Sequence, residues 1–140
     1  MSPKAKGGIY ALASARRKTA RAIATIRKGS GRLYVNGMPI EVFAPNELVR
    51  MKVLEPLWLA MDYVKDLDIY ARVKGGGFMA QADALRMAIG RALVSYTKSE
   101  HLKELFKEYD RSILKGDPRQ TEPKKYGGRS ARARFQKSYR

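Results

Sequence analysis

The sequence predicts an α+β domain that continues into a long basic tail. Two stretches of period-two alternation, within residues 10–28 and over Asp68–Val73, indicate strands, because successive side chains of a strand point to opposite faces. Apolar residues recur at helical spacing after Phe78 and again after Glu100, which favours two helices that each carry one apolar face. This mixture of strands and helices predicts the α+β class.

The first half of the domain is predicted to begin with paired strands. In residues 20–26, small and β-branched residues alternate with arginine, isoleucine and threonine, which favours a strand. Gly29-Ser30-Gly31 is a turn signal. Residues 32–35 are therefore predicted to return as the second strand of a hairpin, which ends at Asn36-Gly37.

Further helices are predicted from capping and spacing signals. A helix is expected over residues 46–61, where Asn46 suits the N-cap and Pro56 should kink or restart the helix. Residues 100–113 combine an apolar side with oppositely charged residues three positions apart on the other side. Such pairs support a solvent-exposed helix surface, so this stretch is predicted to be one helix.

A change of composition predicts the boundary between domain and tail. The globular domain, with its basic N-terminal segment, is expected to span residues 1–115, and the extended basic tail residues 116–140. From Lys124 onward the only large apolar or aromatic side chains are Tyr126, Phe135 and Tyr139. The burial of so few apolar side chains cannot offset the conformational entropy that the tail would lose on ordering. The tail is therefore expected to order only against a partner.

Positive charge is concentrated at the two ends of the chain. Residues 1–34 carry nine Lys or Arg and residues 124–140 carry seven, and neither segment contains Asp or Glu. These cations account for the whole net charge of +16, so residues 35–123 are neutral overall. Such segregation is self-repulsive unless a polyanion lies alongside, and solubility alone does not require it. A polyanion partner is therefore predicted.

The tail has the residue types that RNA binding uses. Arginine forks match phosphate oxygens, small residues let the backbone approach closely, and aromatic rings can stack on unpaired bases. The expected phosphate ligands here are Lys124, Lys125, Arg129, Arg132 and Arg134. A solvated tail is the plainer alternative. A lipid surface is disfavoured because the tail has no amphipathic helix, and no run of about 18 apolar residues could span a membrane.

Inside the domain, further RNA ligands are predicted at basic and glycine-rich positions. Lys74, Gly75 and Gly76 precede a helix, where backbone N–H groups could receive a phosphate. A plain strand-to-helix turn is an equal alternative, and no Lys-Ser/Thr follows as in a Walker loop. The basic N-terminal segment adds Arg16, Arg17, Lys18 and Arg32.

Residues for catalysis and metal binding are scarce. The chain has no cysteine and one histidine, His101. This excludes a disulfide framework, a thiolate zinc site and a pair of histidine ligands. No cofactor or metal is expected, and an enzyme is not predicted.

The sequence resembles the ribosomal protein S-nine family, the universal ninth proteins of the small ribosomal subunit, from about Tyr10 to the end. The closing Gln136–Arg140 and Ala80 are typical of its archaeal and eukaryotic branch. The motifs that carry the resemblance are, in chain order, Arg16-Arg17-Lys18-Thr19-Ala20, Gly29-Ser30-Gly31-Arg32, Val35-Asn36-Gly37, Leu54-Glu55-Pro56-Leu57, Val73-Lys74-Gly75-Gly76-Gly77, Gln81, Ala84 with Arg86, Arg91-Ala92-Leu93, Asp117-Pro118-Arg119, Lys124-Lys125-Tyr126-Gly127-Gly128 and Ala131-Arg132-Ala133-Arg134-Phe135 before that ending.

The resemblance implies a fold and a place in the cell. Helices would pack on a small mixed sheet in two layers, as in the second domain of the fifth small-subunit protein, with an unusual left-handed βαβ crossover. The chain would be a structural constituent of the small subunit in the cytoplasmic ribosome. It would bind rRNA in the subunit head beside neighbouring head proteins, without forming a homo-oligomer.

The resemblance also implies a role for the end of the tail. The tail would thread through rRNA and contact the anticodon stem-loop of P-site tRNA, with Lys137, Tyr139 and Arg140 as ligands. Bacterial relatives usually end in Lys-Arg, so Tyr139 departs from their pattern. Two rival hypotheses remain. A free RNA chaperone or RNA-processing cofactor predicts activity away from ribosomes. A nucleotide-binding enzyme that uses Gly75–Gly77, with Asp83 as the nearby acid, predicts stabilisation by ATP.

Overall fold

The computed structural model describes residues 10–139 and has the predicted α+β class. A five-stranded sheet forms one layer, and helices cover one of its faces. The elements are β1 Tyr10–Arg17, β2 Ala20–Lys28, β3 Leu33–Val35, β4 Met38–Pro39, α1 Ile40–Phe43, α2 Glu47–Leu59, α3 Met61–Val64, β5 Leu67–Lys74, α4 Phe78–Thr97, α5 Glu100–Tyr109 and α6 Ser112–Lys115.

The sheet is mixed, with the strand order β1-β2-β5-β3-β4. β1 and β2 form an antiparallel hairpin whose register runs from Tyr10 opposite Arg27 to Arg17 opposite Ala20. β5 continues the antiparallel pairing on the other side of β2. β3 then lies parallel to β5 and carries the short strand β4 on its outer edge.

The predicted hairpin, in which residues 32–35 return beside the strand within residues 10–28, is wrong. β2 pairs with β1 and β5, and β5 separates it from β3. The segment between β2 and β3 instead crosses the start of β5, where the Asp68 carboxylate accepts the N–H groups of Ser30 at 2.9 Å and Arg32 at 3.0 Å. These N–H groups hold the pKa of Asp68 below its usual value. The chain does bend at Gly29-Ser30-Gly31, but this bend leads from β2 across β5 to β3 and does not join two neighbouring strands.

β3 and β5 are parallel neighbours that the chain connects through β4 and α1 to α3. Parallel strands need such a crossover, so this is the expected βαβ unit, whose left hand stays a prediction. Within the connection, the Asn46 side chain accepts the N–H of Leu48 at 3.0 Å, which confirms its predicted capping role. Pro56 lies inside α2, and the helix ends after Leu59 before α3 begins.

α4 forms the centre of the core and packs on β1, β2 and β5. The covered faces of β1 and β2 are mostly alanine, and Ala20, Ala22 and Ala24 are almost fully buried. Such small side chains let a helix approach a sheet closely. On α4, the predicted apolar face is confirmed, since Ala82, Leu85, Ile89, Ala92 and Leu93 are fully buried and Tyr96, the last residue of the face, is half-buried.

The stretch predicted as one helix over residues 100–113 is divided. α5 ends at Tyr109, and α6 starts at Ser112, whose N–H is accepted by the Asp110 side chain at 2.8 Å. An aspartate that bonds the backbone two residues ahead competes with helix continuation. No helix in residues 10–139 has the length and apolar composition of a membrane-spanning segment.

Candidate RNA interface

Strand alternation separates two adjacent arginines of the basic N-terminal segment. Arg16 points to the face of the sheet that the helices leave open, and it is exposed. Arg17 points to the helix-covered side, where its side chain keeps only 14% of its accessible surface. The two residues, which were predicted to act alike, therefore have different surroundings.

Arg17 lies in a cluster of ion pairs that holds the start of the tail. Its guanidinium donates to the Arg119 carbonyl at 3.0 Å and lies 3.5 Å from Asp117 and 3.9 Å from Asp83. Lys52 of α2 adds a 2.6 Å contact to Asp83. We call Arg17, Lys52, Asp83, Asp117 and Arg119 the root cluster. It joins β1, α2 and α4 to the first residues after α6, so the tail leaves the domain from a fixed point.

Asp117 is the centre of this anchorage. Arg119 pairs with it through two nitrogens, at 2.9 Å and 2.7 Å, and also donates its own N–H at 3.1 Å. The Arg119 side chain and N–H, with the charge of Arg17, hold the pKa of Asp117 far below its usual range. Because the pKa of Asp117 is lower in the folded protein than in the unfolded chain, its ionised carboxylate stabilises the folded arrangement at every pH above the unfolded pKa. That stabilisation is lost only as the pH falls through the folded pKa. The root is therefore fully paired at neutral pH.

Asp117→Asn is expected to loosen the root of the tail without unfolding the domain. The asparagine keeps an oxygen for the Arg119 N–H but loses the charge that holds both guanidinium groups. Limited trypsin digestion followed by mass spectrometry should then show several-fold faster cleavage after Arg119. Cleavage after Arg129, ten residues further along, is the internal control and should keep its rate. Equal rates after Arg119 in both proteins would contradict the anchoring role.

Cations gather on the open side of the β1–β2 turn. Arg16, Lys18 and Arg21 line a shallow groove together with Thr19 and Gln120. Arg16 lies directly opposite Arg21, and Arg21 lies opposite Lys74 of β5. The structure thus brings three predicted RNA ligands to one end of the sheet, adds Arg21, and brings the tail beside them at Gln120. Like charges so placed repel one another, which suits a surface that neutralises phosphates.

Gly75 and Gly76 have a structural explanation in the same region. Both have positive φ values, +81° and +68°, a conformation that glycine adopts at little cost. A Cβ at Gly75 would lie 2.8 Å from the Thr19 carbonyl oxygen, and one at Gly76 would lie 3.0 Å from the Ala20 Cβ. The pair is needed where the strand end passes close to the β1–β2 turn. A phosphate contact at Lys74, Gly75 and Gly76 stays a prediction.

Residues 116–139 of the tail contain no helix or strand. One tight loop interrupts their course, because the Phe135 N–H donates to the Gly127 carbonyl at 3.1 Å. Arg132 pairs with Glu122 through two bonds of 2.8 Å and 2.9 Å, and this pairing lowers the pKa of Glu122. The other predicted ligands of this segment are exposed, namely Lys124, Lys125, Arg129 and Arg134.

The tail also presents aromatic rings to solvent. Tyr126 and Tyr139 are fully exposed, and Phe135 is 71% exposed. Rings without a packing role can stack on bases. Of the predicted tRNA ligands, Lys137 and Tyr139 are exposed near the end, whereas Arg140 lies outside the described residues. Arg32 is exposed within the segment that crosses the start of β5.

Comparison with known proteins decides the family. The sequence profile described as ribosomal protein S9/S16 matches residues 15–140, nearly the whole chain. The chain belongs to this family. The small ribosomal subunit protein uS9 of Desulfurococcus amylolyticus is 55% identical over 129 residues, which cover 92% of this chain and 91% of that protein.

Other members of the S9/S16 family are similarly close. The uS9 protein of Saccharolobus solfataricus is 52% identical, over 92% of this chain and 94% of its own length. That of Thermoplasma acidophilum is 49% identical, over 92% and 99%. The resemblance seen in the motifs is thereby confirmed.

Membership of the S9/S16 family settles the class of activity. The chain is a structural ribosomal protein of the cytoplasmic ribosome and not an enzyme. The nucleotide-binding hypothesis for Gly75–Gly77 is therefore wrong. Asp83, its proposed acid, belongs to the root cluster. Residues 10–139 also contain no group of three or more His, Cys, Asp or Glu that could hold a metal ion.

Sequence reasoning did not find the role of Arg86. This residue of α4 is 8% exposed and contacts Asp110 at 2.8 Å, Ser112 at 3.1 Å and the Glu55 carboxylate. It thereby ties α4 to α2 and to the junction between α5 and α6. The available signal was its position, since an arginine stood on the otherwise apolar face of a predicted helix.

Proposed function

We propose that this chain is a structural constituent of the small ribosomal subunit that binds the rRNA of the subunit head. One observation carries the proposal. The segment 124–140 has seven cations and no acid, its described cations are exposed, and its root is held by the ion pairs of Asp117. A polycation held at a fixed point neutralises phosphates along a defined path. Neighbouring head proteins are further partners, and the chain acts as a single copy.

The binding is mainly electrostatic. Lysine and arginine side chains that meet phosphates release condensed counterions, so the logarithm of the binding constant falls linearly with the logarithm of salt concentration. The slope is about 0.7–0.9 per phosphate neutralised. Phosphate geometry and RNA shape dominate over base reading. The proposed ligands in the domain are Arg16, Lys18, Arg32 and Lys74, and those of the tail are the cations from Lys124 to Arg134.

Arg17 has a supporting part in this proposal. Its guanidinium already bonds Arg119 and faces Asp117 and Asp83, so a phosphate would have to displace acidic partners to reach it. We therefore assign its main contribution to the position of the tail. The direct phosphate ligand at this corner is its exposed neighbour Arg16.

Sedimentation tests the ribosomal assignment. A cell extract is washed at high salt and separated on a sucrose gradient, and the fractions are probed for this chain. It should remain with the small-subunit peak and be absent from the light fractions. A chain that washes off and acts on diverse RNAs would favour the alternative of a free RNA chaperone or processing cofactor.

We further propose that the end of the tail contacts the anticodon stem-loop of P-site tRNA. Lys137 supplies a cation and Tyr139 a fully exposed ring close to the chain end. Arg140 adds a guanidinium suited to a phosphate. These three residues form the proposed tRNA contact.

Removal of Lys137–Arg140 is expected to weaken P-site tRNA binding by about 1–2 kcal/mol, the scale of one or two charge-assisted contacts. Filter binding of tRNA to small subunits reconstituted with each variant measures this as a loss of roughly 5- to 30-fold. Gln136→Ala is the control, since it changes the same segment without removing charge. Unchanged tRNA affinity in subunits that assemble normally would exclude the contact.

A further inference from the structure

The face of the sheet opposite α4 is unusually rich in exposed apolar and cationic side chains. Tyr10, Leu12, Ile23 and Tyr70 are between 43% and 65% exposed there, although the alternate side chains of the same strands are buried under the helices, among them Ala11, Ala22, Ala24 and Ala71. We call this surface the open face. Its members are Tyr10, Leu12, Ser14, Arg16, Arg21, Ile23, Thr25, Arg27, Tyr34, Asp68, Tyr70, Arg72 and Lys74.

The strand register arranges these side chains in rows across three strands. One row is Arg16, Arg21 and Lys74, all cations. The next row places Ser14 and Ile23 beside Arg72. Arg16 lies six positions after Tyr10 along β1, so the rows cover about 20 Å along the strands.

The charge of the open face is strongly positive. It carries five cations and one acid, Asp68, whose carboxylate already accepts the N–H groups of Ser30 and Arg32. Cations that lie directly opposite one another across strands destabilise an isolated sheet. Arg21 has such a neighbour on both sides. A polyanion that lies against the row of Arg16, Arg21 and Lys74 would neutralise this repulsion.

The other end of the open face is aromatic. Tyr70 stacks on Tyr34, with ring centroids 5.6 Å apart and planes 11° apart, and the Arg27 guanidinium lies 5.6 Å from the Tyr70 ring. Tyr10 stands opposite Arg27 at the edge strand. Leu12 and Ile23 occupy the middle. Rings and aliphatic side chains between arginines are suited to riboses and unpaired bases, with the phosphates on the cations.

We infer that a second segment of RNA, separate from the RNA bound by the tail, lies across the open face. Its phosphates meet Arg16, Arg21, Arg72 and Lys74, and its sugars or unpaired bases lie on Ile23 and the rings beyond. This inference rests on the proposed function for the class of partner. It adds a surface on the side of the sheet away from the root cluster. A protein partner would need a concentrated acidic surface and is the competing outcome.

A matched pair of double variants tests the RNA contact. Arg21→Gln with Arg72→Gln removes two cations of the open face, and Lys107→Gln with Arg111→Gln removes two exposed cations of the helical layer. Each full-length protein is titrated with deproteinised small-subunit rRNA over a range of salt concentrations. The open-face variant should lower the salt slope by about 1.4–1.8, corresponding to two phosphates. The helical-layer variant should keep the slope of the unmodified protein.

The outcomes separate the two proposals. If deletion of the tail lowers the slope and the open-face variant does not, the inference fails and the proposed function stands. If both double variants lower the slope equally, bulk charge is responsible and the inference also fails. If neither the tail deletion nor the open-face variant affects binding, the proposed function itself is wrong. A thermal unfolding temperature of the open-face variant that is no lower than that of the unmodified protein shows that any loss of binding is not a folding defect, since removal of opposed cations should if anything stabilise the sheet.

A photo-crosslinker identifies what touches the open face in the assembled particle. p-Benzoylphenylalanine replaces Ile23, and in a control protein it replaces Glu108 on α5, which is also exposed. After irradiation of small subunits that carry either protein, the probe at position 23 should crosslink to rRNA more strongly than the probe at position 108. Crosslinks to a protein in place of RNA, or no rRNA crosslink at position 23, would overturn the inference.

Discussion

Deletion of residues 124–140 is expected to cause a larger loss of rRNA binding than any single substitution in the basic segments. The deletion removes seven cations and no acid. If each cation meets a phosphate, the salt slope falls by about 5–6. Arg132 is paired with Glu122 in the protein alone, so the loss is about 4–5 if that pair persists on RNA. Affinity at low salt should drop on the order of a thousandfold.

The fold should survive this deletion. The buried hydrophobic core ends with Ile113, and the root cluster ends with Arg119, before the deleted segment. The thermal unfolding temperature should therefore remain close to that of the full chain. Filter binding to deproteinised small-subunit rRNA at several salt concentrations measures the slope for both proteins.

A charge-preserving variant separates charge from geometry. Replacement of Arg129, Arg132 and Arg134 by lysine keeps the net charge but removes the planar forks that bind phosphate through two bonds. It should retain the salt slope and lose part of the affinity.

The deletion has its own contradicting outcome. If the protein that lacks residues 124–140 keeps the salt slope of the full chain, the tail does not neutralise phosphates, and the proposed function loses its main support.

The fold class and most elements could be predicted because they depend on local periodicity. The alternation in β2, that in β5 and the apolar face of α4 can each be seen within one continuous stretch of sequence. The pairing of strands was missed because it depends on distant residues. Gly29-Ser30-Gly31 has the composition of a hairpin turn, yet its direction depends on Asp68, 38 residues after Ser30. A turn signal alone does not tell which strand lies next to which.

The candidate site shows the same division between composition and geometry. The segregation of charge could be read directly, and it identified the basic segments. The distinction between Arg16 and Arg17 required knowing that one face of β1 is covered by helices. The open face needed strand order as well, because Arg21 and Lys74 become neighbours only when β5 pairs with β2. The role of Arg86 depends on three partners from separate elements, and the sequence does not show that they meet. Only the unusual position of this arginine on α4 is visible in the sequence.

Arg86→Met is expected to cause the largest loss of stability from a single side chain. The change leaves the Glu55 and Asp110 carboxylates without their guanidinium partner. Removal of one member of a buried ion pair costs about 3–5 kcal/mol. We expect about 3 kcal/mol in the free energy of unfolding, the low end of that range, because Glu55 keeps 23% and Asp110 keeps 38% of their side-chain exposure. Urea unfolding at pH 7 measures it.

The triple variant Arg86→Met, Glu55→Gln, Asp110→Asn is the matched control. Its side-chain amides cannot become unpaired charges. The amide oxygen introduced at position 110 can still accept the Ser112 N–H, and the one introduced at position 55 can still accept the Tyr109 hydroxyl. Replacing a whole ion pair by neutral groups is often close to neutral, so most of the lost stability should return. If the triple variant is no more stable than Arg86→Met, lost packing is responsible rather than unpaired charge.

The dependence on pH gives this explanation a second test. Burial alone would raise the pKa of Asp110, but the Ser112 N–H and Arg86 hold it below its usual value. The unmodified protein therefore gains stability from this group above the unfolded pKa and loses it as the pH falls. Without the guanidinium the Asp110 carboxylate takes up a proton more easily, so the destabilisation by Arg86→Met should shrink from pH 7 toward about pH 4. Because α6 leads directly into the root of the tail, the same variant should also speed tryptic cleavage after Arg119.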